Sequence, residues 1–292
     1  MKRIDSITKS WSDYELLDSG DNRRLERFGN LILDRPDPQA LWSKSTPALW
    51  QEAVAQFARG EKSEHGAQNA KWTREKGIPD TWNFHFDTIT LELACGAFKH
   101  IGVFPEHAEQ WGSIAKKCDE YPNLKVLNLF GYTGACSIVA AAHGADVTHV
   151  DASKQTIATL KRNIALSGLP ADAIRVITED ALKYAKRLIL REEQFDIIVM
   201  DPPAFGRGPK GEVWKIEEKL PELLSLIPKL LTPTAKLVFL NGYAAGFSAR
   251  SFGELLASAM KDRGEVFYGD VGIQHTTGTR VLSTGIYAGW KQ

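Results

Sequence analysis

The chain has 292 residues and a mass of 32.4 kDa, with 43% hydrophobic and 25% charged side chains. This globular composition excludes whole-chain disorder, collagen-like repeats, coiled coils and disulfide scaffolds. Lysine plus arginine (36) balances aspartate plus glutamate (36), so a nucleic-acid contact would be a local patch rather than a basic coat.

The first third reads as short strands and turns. Asp13–Leu17 runs into the turn cluster Asp18-Ser19-Gly20-Asp21, and Arg24–Phe28 and Leu31–Leu33 flank Gly29-Asn30. This predicts an antiparallel meander that ends at Asp34-Arg35-Pro36-Asp37-Pro38. Residues 60–80 are polar and lack apolar periodicity, which predicts a long surface loop. Trp82–Phe86 and Thr88–Leu93 read as a hairpin, and His107–Lys117 as a helix leading into the second half.

From Lys125 onwards, short apolar runs alternate with helical patterns. The predicted strands are KVLNLF from Lys125, DVTHVD ending at Asp151, Ile174–Thr178, FDIIVMD ending at Asp201, AKLVFLNG ending at Gly242, Val266–Val271 and Leu282–Trp290. The predicted helices are Gly134–His143, Lys154–Ser167, Ala181–Glu192, Lys219–Leu231 and Ser248–Arg263. Such alternation indicates βαβ units on a parallel sheet. The sequence reads as two regions: a β-rich region over 1–100 and an α/β region over 101–292.

Four motifs fall in order at the ends of successive strands. The first is the turn Phe130-Gly131-Tyr132-Thr133-Gly134. Glycine there lets backbone amides approach a ligand and lets a helix start close to the strand. It is not G-x-G-x-x-G and has no lysine placed for phosphate, so a Walker-type NTPase does not fit. The second is Asp151, which can accept both hydroxyls of a ribose or else cap the following helix. The third is Glu179-Asp180-Ala181, where a carboxylate can receive an exocyclic amine or again cap a helix.

The fourth is Asp201-Pro202-Pro203-Ala204-Phe205. Two prolines remove two amide donors and stiffen the backbone, leaving an edge of acceptors at the rim where open α/β sheets bind ligands. Such an edge suits a neutral amine or amide N–H, and Asp201 and the Pro202 carbonyl are the candidate catalytic groups. Phe205 either stacks on a flat base or packs into the core. Arg207 and Lys210, in the glycine-containing loop Gly206–Trp214, are candidate phosphate contacts.

This ordered set resembles the class I S-adenosylmethionine-dependent methyltransferases, in particular the bacterial group related to 23S rRNA methyltransferases with a DPP-x-F motif. The matching text is VLNLFGYTGACSIVAAAHGADVTHVDAS, EDALKY and FDIIVMDPPAFGRGPKGEVW. It extends upstream to DYELLDSGDNRRLERFGNLILDRPDPQALW and GVFPEHAEQW, and to RVLSTGIYAGW at the end. The resemblance implies a Rossmann-like, mostly parallel sheet with an antiparallel last strand, beside a smaller antiparallel β-rich region. It implies S-adenosylmethionine as cofactor. Asn128, Gly131, Tyr132, Thr133 and Gly134 would face its methionine half, Asp151 its ribose and Ala152 its adenine. Asp180 would take the adenine amine, Ala181 would give a backbone contact, and Asp201 would lie between sulfonium and substrate. Phe104 matches a segment that closes over the cofactor in relatives, although His107 and Ala108 stand where those relatives often carry glutamine and arginine.

Cys95, Cys118 and Cys136 have no metal-ligand spacing and read as free thiols in a reducing cytosol, with no metal site. Carbon-5 methylation of a pyrimidine needs a thiolate. The related carbon-5 enzymes place that cysteine beside the double proline or after the next strand, and neither place holds a cysteine here. N-methylation is therefore expected, on a base of ribosomal RNA. The competing readings are a methyltransferase for a small molecule or a protein amide, and a non-catalytic binding module. The opening segment has no apolar core behind its charges, and no run approaches the ~18 apolar residues of a membrane span, so a cytoplasmic protein without membrane contact is expected. The sequence leaves oligomeric state open.

Overall fold

The computed structural model describes residues 1–58, 70–207, 211–243, 246–261 and 263–292, with only the backbone described at 207. Two short strands, β1 (Lys2–Arg3) and β2 (Ser6–Thr8), open the chain. There follow β3 (Tyr14–Gly20), β4 (Arg23–Phe28), β5 (Leu31–Pro36), β6 (Ala55–Ala58), β7 (Lys71–Arg74), β8 (Thr81–Phe86) and β9 (Ile89–Ala94). The α/β half comprises α1 (Ala108–Glu120), β10 (Lys125–Leu129), α2 (Ala135–Ala142), β11 (Asp146–Asp151), α3 (Lys154–Leu166), β12 (Ile174–Thr178), α4 (Ala181–Leu190) and β13 (Ile197–Met200). It continues with β14 (Phe205–Arg207), β15 (Val213–Lys215), α5 (Ile216–Leu230), β16 (Leu237–Gly242), α6 (Ala249–Met260), β17 (Glu265–Gln274) and β18 (Val281–Lys291).

The chain forms two compact units. The first comprises 1–6, 109–271 and 284–292; the second comprises 7–108 and 272–283. The main sheet runs β1-β17-β18-β16-β13-β10-β11-β12, with β2 beside β17. Strands β16, β13, β10, β11 and β12 are parallel, and β18 is antiparallel to β16. Strand order therefore reverses at β10, which pairs with β11 on one side and β13 on the other. Ligands of open α/β sheets bind at such a switch point.

The parallel strands are apolar on both faces because helices cover both. On one face Leu127, Leu129, Ile198, Met200, Val238 and Leu240 are almost completely buried, packed with Leu223, Ile227 and Leu256 of the helices. On the other, Val126, Val147, Ile197 and Val199 are buried as well. Three helices start on side-chain caps: Ser153 accepts from the Thr156 amide, Asp180 from Lys183 and Ser248 from Ser251. Each cap contributes about 1 kcal/mol. Helix α5 begins at Ile216 rather than Lys219 and runs through Pro221 and Pro228. Burial of Ile216 and its amide bond to the Ala204 carbonyl fix that earlier start.

In the second unit, β3, β4 and β5 form the expected antiparallel meander. The sheet continues through a parallel pairing of β5 with β6 and an antiparallel pairing of β6 with β7. The 60–80 loop is thus corrected at 71–74, where backbone pairing with β6 makes a strand of a polar sequence; residues 59–69 lie outside the description. Strand β4 buries charge: Glu26 receives the Tyr14 hydroxyl at 2.8 Å and Arg35 at 2.6 Å, with Arg24 at 3.2 Å. Burial pushes Glu26 up, and the two arginines more than offset it, holding it below the usual carboxylate range. Among the described residues, no helix is long and apolar enough to cross a membrane.

Candidate functional site

The C-terminal ends of β10, β11, β12 and β13 carry the four sequence motifs, and all four lie in the first unit. The glycine turn after β10 has Phe130 at φ 60°, Tyr132 at φ 53° and Gly134 at φ 94°. Its ends are tied down: the Gly131 amide donates to Val150 O at 3.0 Å, and Asn163 Nδ2 donates to Thr133 O at 2.9 Å. Gly131 lies directly over the imidazole of His149; a Cβ there would come within 2.3 Å of the ring. A Cβ on Gly134 would meet Leu160 at 2.1 Å, which is how α2 starts so close to α3.

A buried polar chain supports this turn. Asn128 stands opposite His149 in the parallel register of β10 and β11. Its Nδ2 donates to Ser137 Oγ at 2.9 Å, and Ser137 Oγ lies 2.9 Å from His149 Nδ1. Burial pushes His149 down to about 3, so the ring is neutral. Asn128 is 3% exposed and its amide faces Ser137, which makes it part of the floor beneath the turn. His149 and Ser137 were not singled out from sequence.

Asp151 ends β11. Its Oδ2 accepts the Tyr132 amide at 2.9 Å, and its Oδ1 accepts the Ser153 amide at 2.8 Å and the Thr156 hydroxyl at 2.9 Å. Burial pushes its pKa up, and those three donors oppose the shift. The carboxylate joins the glycine turn to the start of α3, whose cap is Ser153, and Oδ2 keeps capacity for a further hydroxyl. Ala152 follows it, half-buried. Asp180 caps α4 through Oδ1, which accepts the Lys183 amide at 2.8 Å, and Ala181 is the buried first residue of that helix. The helix-cap alternative is therefore realised at Asp180, with Oδ2 remaining to accept from a ligand.

The segment after β13 is an acceptor edge with an assigned supporter. The Pro203 carbonyl accepts Trp214 Nε1 at 2.7 Å, and the Ala204 carbonyl accepts the Ile216 amide at 3.1 Å. The Pro202 carbonyl accepts from no donor among the described residues. Residues 205–207 and 213–215 pair as the antiparallel strands β14 and β15, which corrects the expectation of a plain loop. Trp214 is buried and meets the Phe130 ring edge-on at 4.8 Å. Phe205 is 55% exposed, which removes the core-packing alternative. Lys210 and the side chain of Arg207 lie outside the described residues.

Cys136 is half-buried at the start of α2, and burial, with Cys118 and Asp201 nearby, pushes its thiol up to about 12. It is a thiol at neutral pH. Gln110 and Asn241 form a reciprocal amide pair, 2.8 Å in each direction, where β16 ends. Phe104 belongs to the second unit, packed against His100 at 5.0 Å and heading a 3₁₀ turn over Pro105–His107.

These residues fit a nucleoside sulfonium: a backbone turn with strained φ values, then acids at the ends of β11 and β12, and an acceptor edge at β13. Comparisons with known proteins agree. The family described as Conserved hypothetical protein 95 matches residues 112–239. The Ribosomal RNA large subunit methyltransferase K/L of Shewanella sp. (strain W3-18-1) is 42% identical over 153 residues, 52% of this chain and 21% of that protein. The chain thus spans about a fifth of the length of the curated relatives it matches. The SAM-dependent methyltransferase from Agrobacterium tumefaciens is 37% identical, with a TM-score of 0.91 over 100% of this chain and 97% of that one. The fold is shared with SMU.776 complexed with SAH, at 16% identity and a TM-score of 0.74 over 98% of this chain and 76% of that one. Near-complete coverage by the Agrobacterium tumefaciens protein, together with the order of motifs along β10 to β13, makes this chain a member of the S-adenosylmethionine-dependent methyltransferases, with S-adenosylmethionine as its cofactor.

Proposed function

We propose that the protein transfers a methyl group to a nitrogen of a ribosomal RNA base. The observation that carries this reading is the Pro202 carbonyl, which accepts from no donor among the described residues. Of the three carbonyls from Pro202 to Ala204, those of Pro203 and Ala204 accept from Trp214 and Ile216, which fixes the backbone and leaves the Pro202 oxygen to accept from a substrate.

In this reading the turn Gly131, Tyr132, Thr133 and Gly134 holds the methionine half of the cofactor from above the Asn128 floor. Asp151 Oδ2 accepts from the ribose, with Ala152 beside the adenine, and Asp180 and Ala181 receive the adenine edge. The bound cofactor supplies an electrophilic methyl on a sulfonium, which departs as a neutral thioether. The Pro202 carbonyl and the Asp201 carboxylate accept N–H from the incoming nitrogen, orient its lone pair and support the positive charge that it gains. Asp201 or water takes the surplus proton. Phe205, exposed beside this edge, offers a face on which a base can stack.

The relatives named as large-subunit ribosomal RNA methyltransferases support RNA as the substrate. The test is transfer of labelled methyl from S-adenosylmethionine to deproteinised ribosomal RNA from cells that lack the protein. Label in an N-methylated base after nuclease digestion is expected. Label found only in protein or in small molecules would reject RNA and favour an amide or metabolite nitrogen, which the same acceptor edge can hold.

A further inference from the structure

Among the described residues, five of the six arginines of the second unit are ion-paired. Arg23, Arg24, Arg27, Arg35 and Arg74 each form an ion pair with a carboxylate. Arg280 forms none among the described residues, nor do the unit's lysines, and Arg280 and Lys44 are placed over tryptophan rings instead. The Arg280 guanidinium is 5.3 Å from the Trp42 ring centroid, and Lys44 Nζ is 3.8 Å from that of Trp50.

Arg280 lines a cavity, and Lys44 precedes Ser45 of its wall. The cavity has a volume of about 470 Å³ and is lined by Asp18, Ser45, Thr46, His275, Thr279 and Arg280 among others. That volume falls within the ~300–1,000 Å³ of small-molecule sites. The wall is built by the Asp18-Ser19-Gly20 cluster. Gly20 lets the 43–46 segment press against β3, since a Cβ there would fall 2.4 Å from the Lys44 amide nitrogen. Asp18 then ties the segment down by accepting the Ser45 and Thr46 amides and Trp50 Nε1 at 2.9–3.0 Å. On the other side, Trp42 Nε1 donates to Ser19 O at 2.8 Å, and Ser19 Oγ lies 2.7 Å from His275 Nε2. Arg280 Nη1 donates to Ser45 Oγ at 2.7 Å and closes the ring of contacts.

The acceptor positions of the ionised Asp18 carboxylate are therefore filled by four donors, its own neighbour Ser19 included. The cations left without a carboxylate partner here are Arg280, in the wall beside the Ser45, Thr46 and Thr279 hydroxyls, and Lys44, next to Ser45 in the chain. A guanidinium held against an indole loses little freedom on binding an anion, and its remaining N–H groups suit phosphate oxygens. The rim presents few apolar groups for reading a base, so it fits a backbone rather than a sequence.

We infer that this cavity is a phosphodiester subsite for single-stranded RNA, with Arg280 and Lys44 contacting the phosphate and the Ser45 and Thr279 hydroxyls assisting. This rests on the reading of RNA as substrate and assigns the second unit a part in holding it. The test uses the full chain and a fluorescent single-stranded RNA of about 20 nucleotides, titrated across a range of salt. Arg280→Gln and Lys44→Gln are each expected to weaken binding about 3–10-fold at low salt and to lower the log–log salt slope by about 0.7 per charge removed. The control Arg74→Gln, which removes a paired cation, should leave the slope unchanged. Affinity for S-adenosylmethionine, read by calorimetry, should stay at the wild-type value in all three and shows that they are folded.

An unchanged slope in the Arg280→Gln, Lys44→Gln double variant overturns the subsite, as does an equal loss in Arg74→Gln. Competition by inorganic phosphate that leaves RNA affinity untouched also overturns it, because the occupant is then a free anion. If such results accompany intact methylation of deproteinised RNA, only the subsite fails. If wild-type protein neither binds nor methylates RNA, both readings fail.

Discussion

The indole nitrogen of Trp214 donates to the carbonyl oxygen of Pro203 across 2.7 Å, while the same ring meets Phe130 edge-on at 4.8 Å. One side chain thus joins the acceptor edge after β13 to the glycine turn after β10. Trp214→Phe keeps the ring and removes the N–H. It leaves a carbonyl without its donor, which costs about 1–3 kcal/mol if the oxygen stays buried, and frees the edge to shift. The expected result is a fall in kcat of about tenfold, with cofactor affinity changed by less than about twofold, because a 1 Å misplacement of reacting groups costs far more in rate than in binding. Equal kcat in Trp214→Phe and wild type would show that the bond does not position the edge.

The link through Trp214 could not be read from the sequence, because it depends on residues 203 and 214 meeting across β14 and β15. GRGPKGEVW is glycine-rich and charged, so it reads as a loop, and its pairing comes from tertiary context. The same holds for Lys71–Arg74, a polar strand fixed by its partner β6, and for RRLERF in β4, whose charges look exposed and are buried against one another. The parallel core was legible because its strands are continuous apolar runs between helices, and the order of the four motifs follows from that. Asp180 shows why roles are harder to read than places. One carboxylate at a strand end can serve a helix cap or a ligand, and the residue type alone does not separate them; the structure shows the cap.

Gly131 and His149 occupy one space between them. A methyl group on residue 131 would lie 2.3 Å from the imidazole, closer than any relaxed contact. Gly131→Ala is expected to destabilise the fold by about 1–3 kcal/mol, as overpacking does, and to weaken cofactor binding. His149→Ala alone opens a cavity and breaks the bond to Ser137. The double variant should be less damaged than the two single effects added together, with a coupling of about 0.5–3 kcal/mol in a denaturant cycle. Strict additivity would mean that the turn relaxes away from the ring without cost.

His149 also imposes a pH dependence on stability. Its native pKa is held down to about 3 by burial, while in the unfolded chain it titrates near its ordinary value of 6.5. Between those values the unfolded state binds a proton that the native state excludes. Stability therefore falls as pH drops below about 6.5, by up to roughly 1.4 kcal/mol per pH unit from this group. Asp151 acts with the opposite sign at lower pH, since its native pKa is raised and the folded form binds the proton more readily there. Urea unfolding between about pH 7 and pH 5.5 reads this slope, to which His100 and His275, also held down by burial, add with the same sign, so the variant is needed to single out His149. His149→Gln should flatten that segment by about one proton, and an unaltered slope would place the dependence elsewhere.

Cys136 separates the two chemistries open to a base methyltransferase with this rim. Carbon-5 methylation begins with addition of a thiolate to the ring, which requires a cysteine ionised near neutral pH. Burial holds the Cys136 thiol up at about 12, with Cys118 and Asp201 adding to the shift, so the thiolate is a negligible fraction. Attack by a nitrogen lone pair needs no such group; it needs acceptors, the role proposed above for Asp201 and the Pro202 carbonyl. Cys136→Ala removes one sulfur from a half-buried helix start and should cost about 1 kcal/mol or less of stability. Turnover on RNA should remain within about twofold of wild type, because the acceptor edge is untouched. Near-complete loss of turnover in a folded Cys136→Ala protein that still binds S-adenosylmethionine would instead assign this thiol to the reaction and move the methylated atom from nitrogen to carbon.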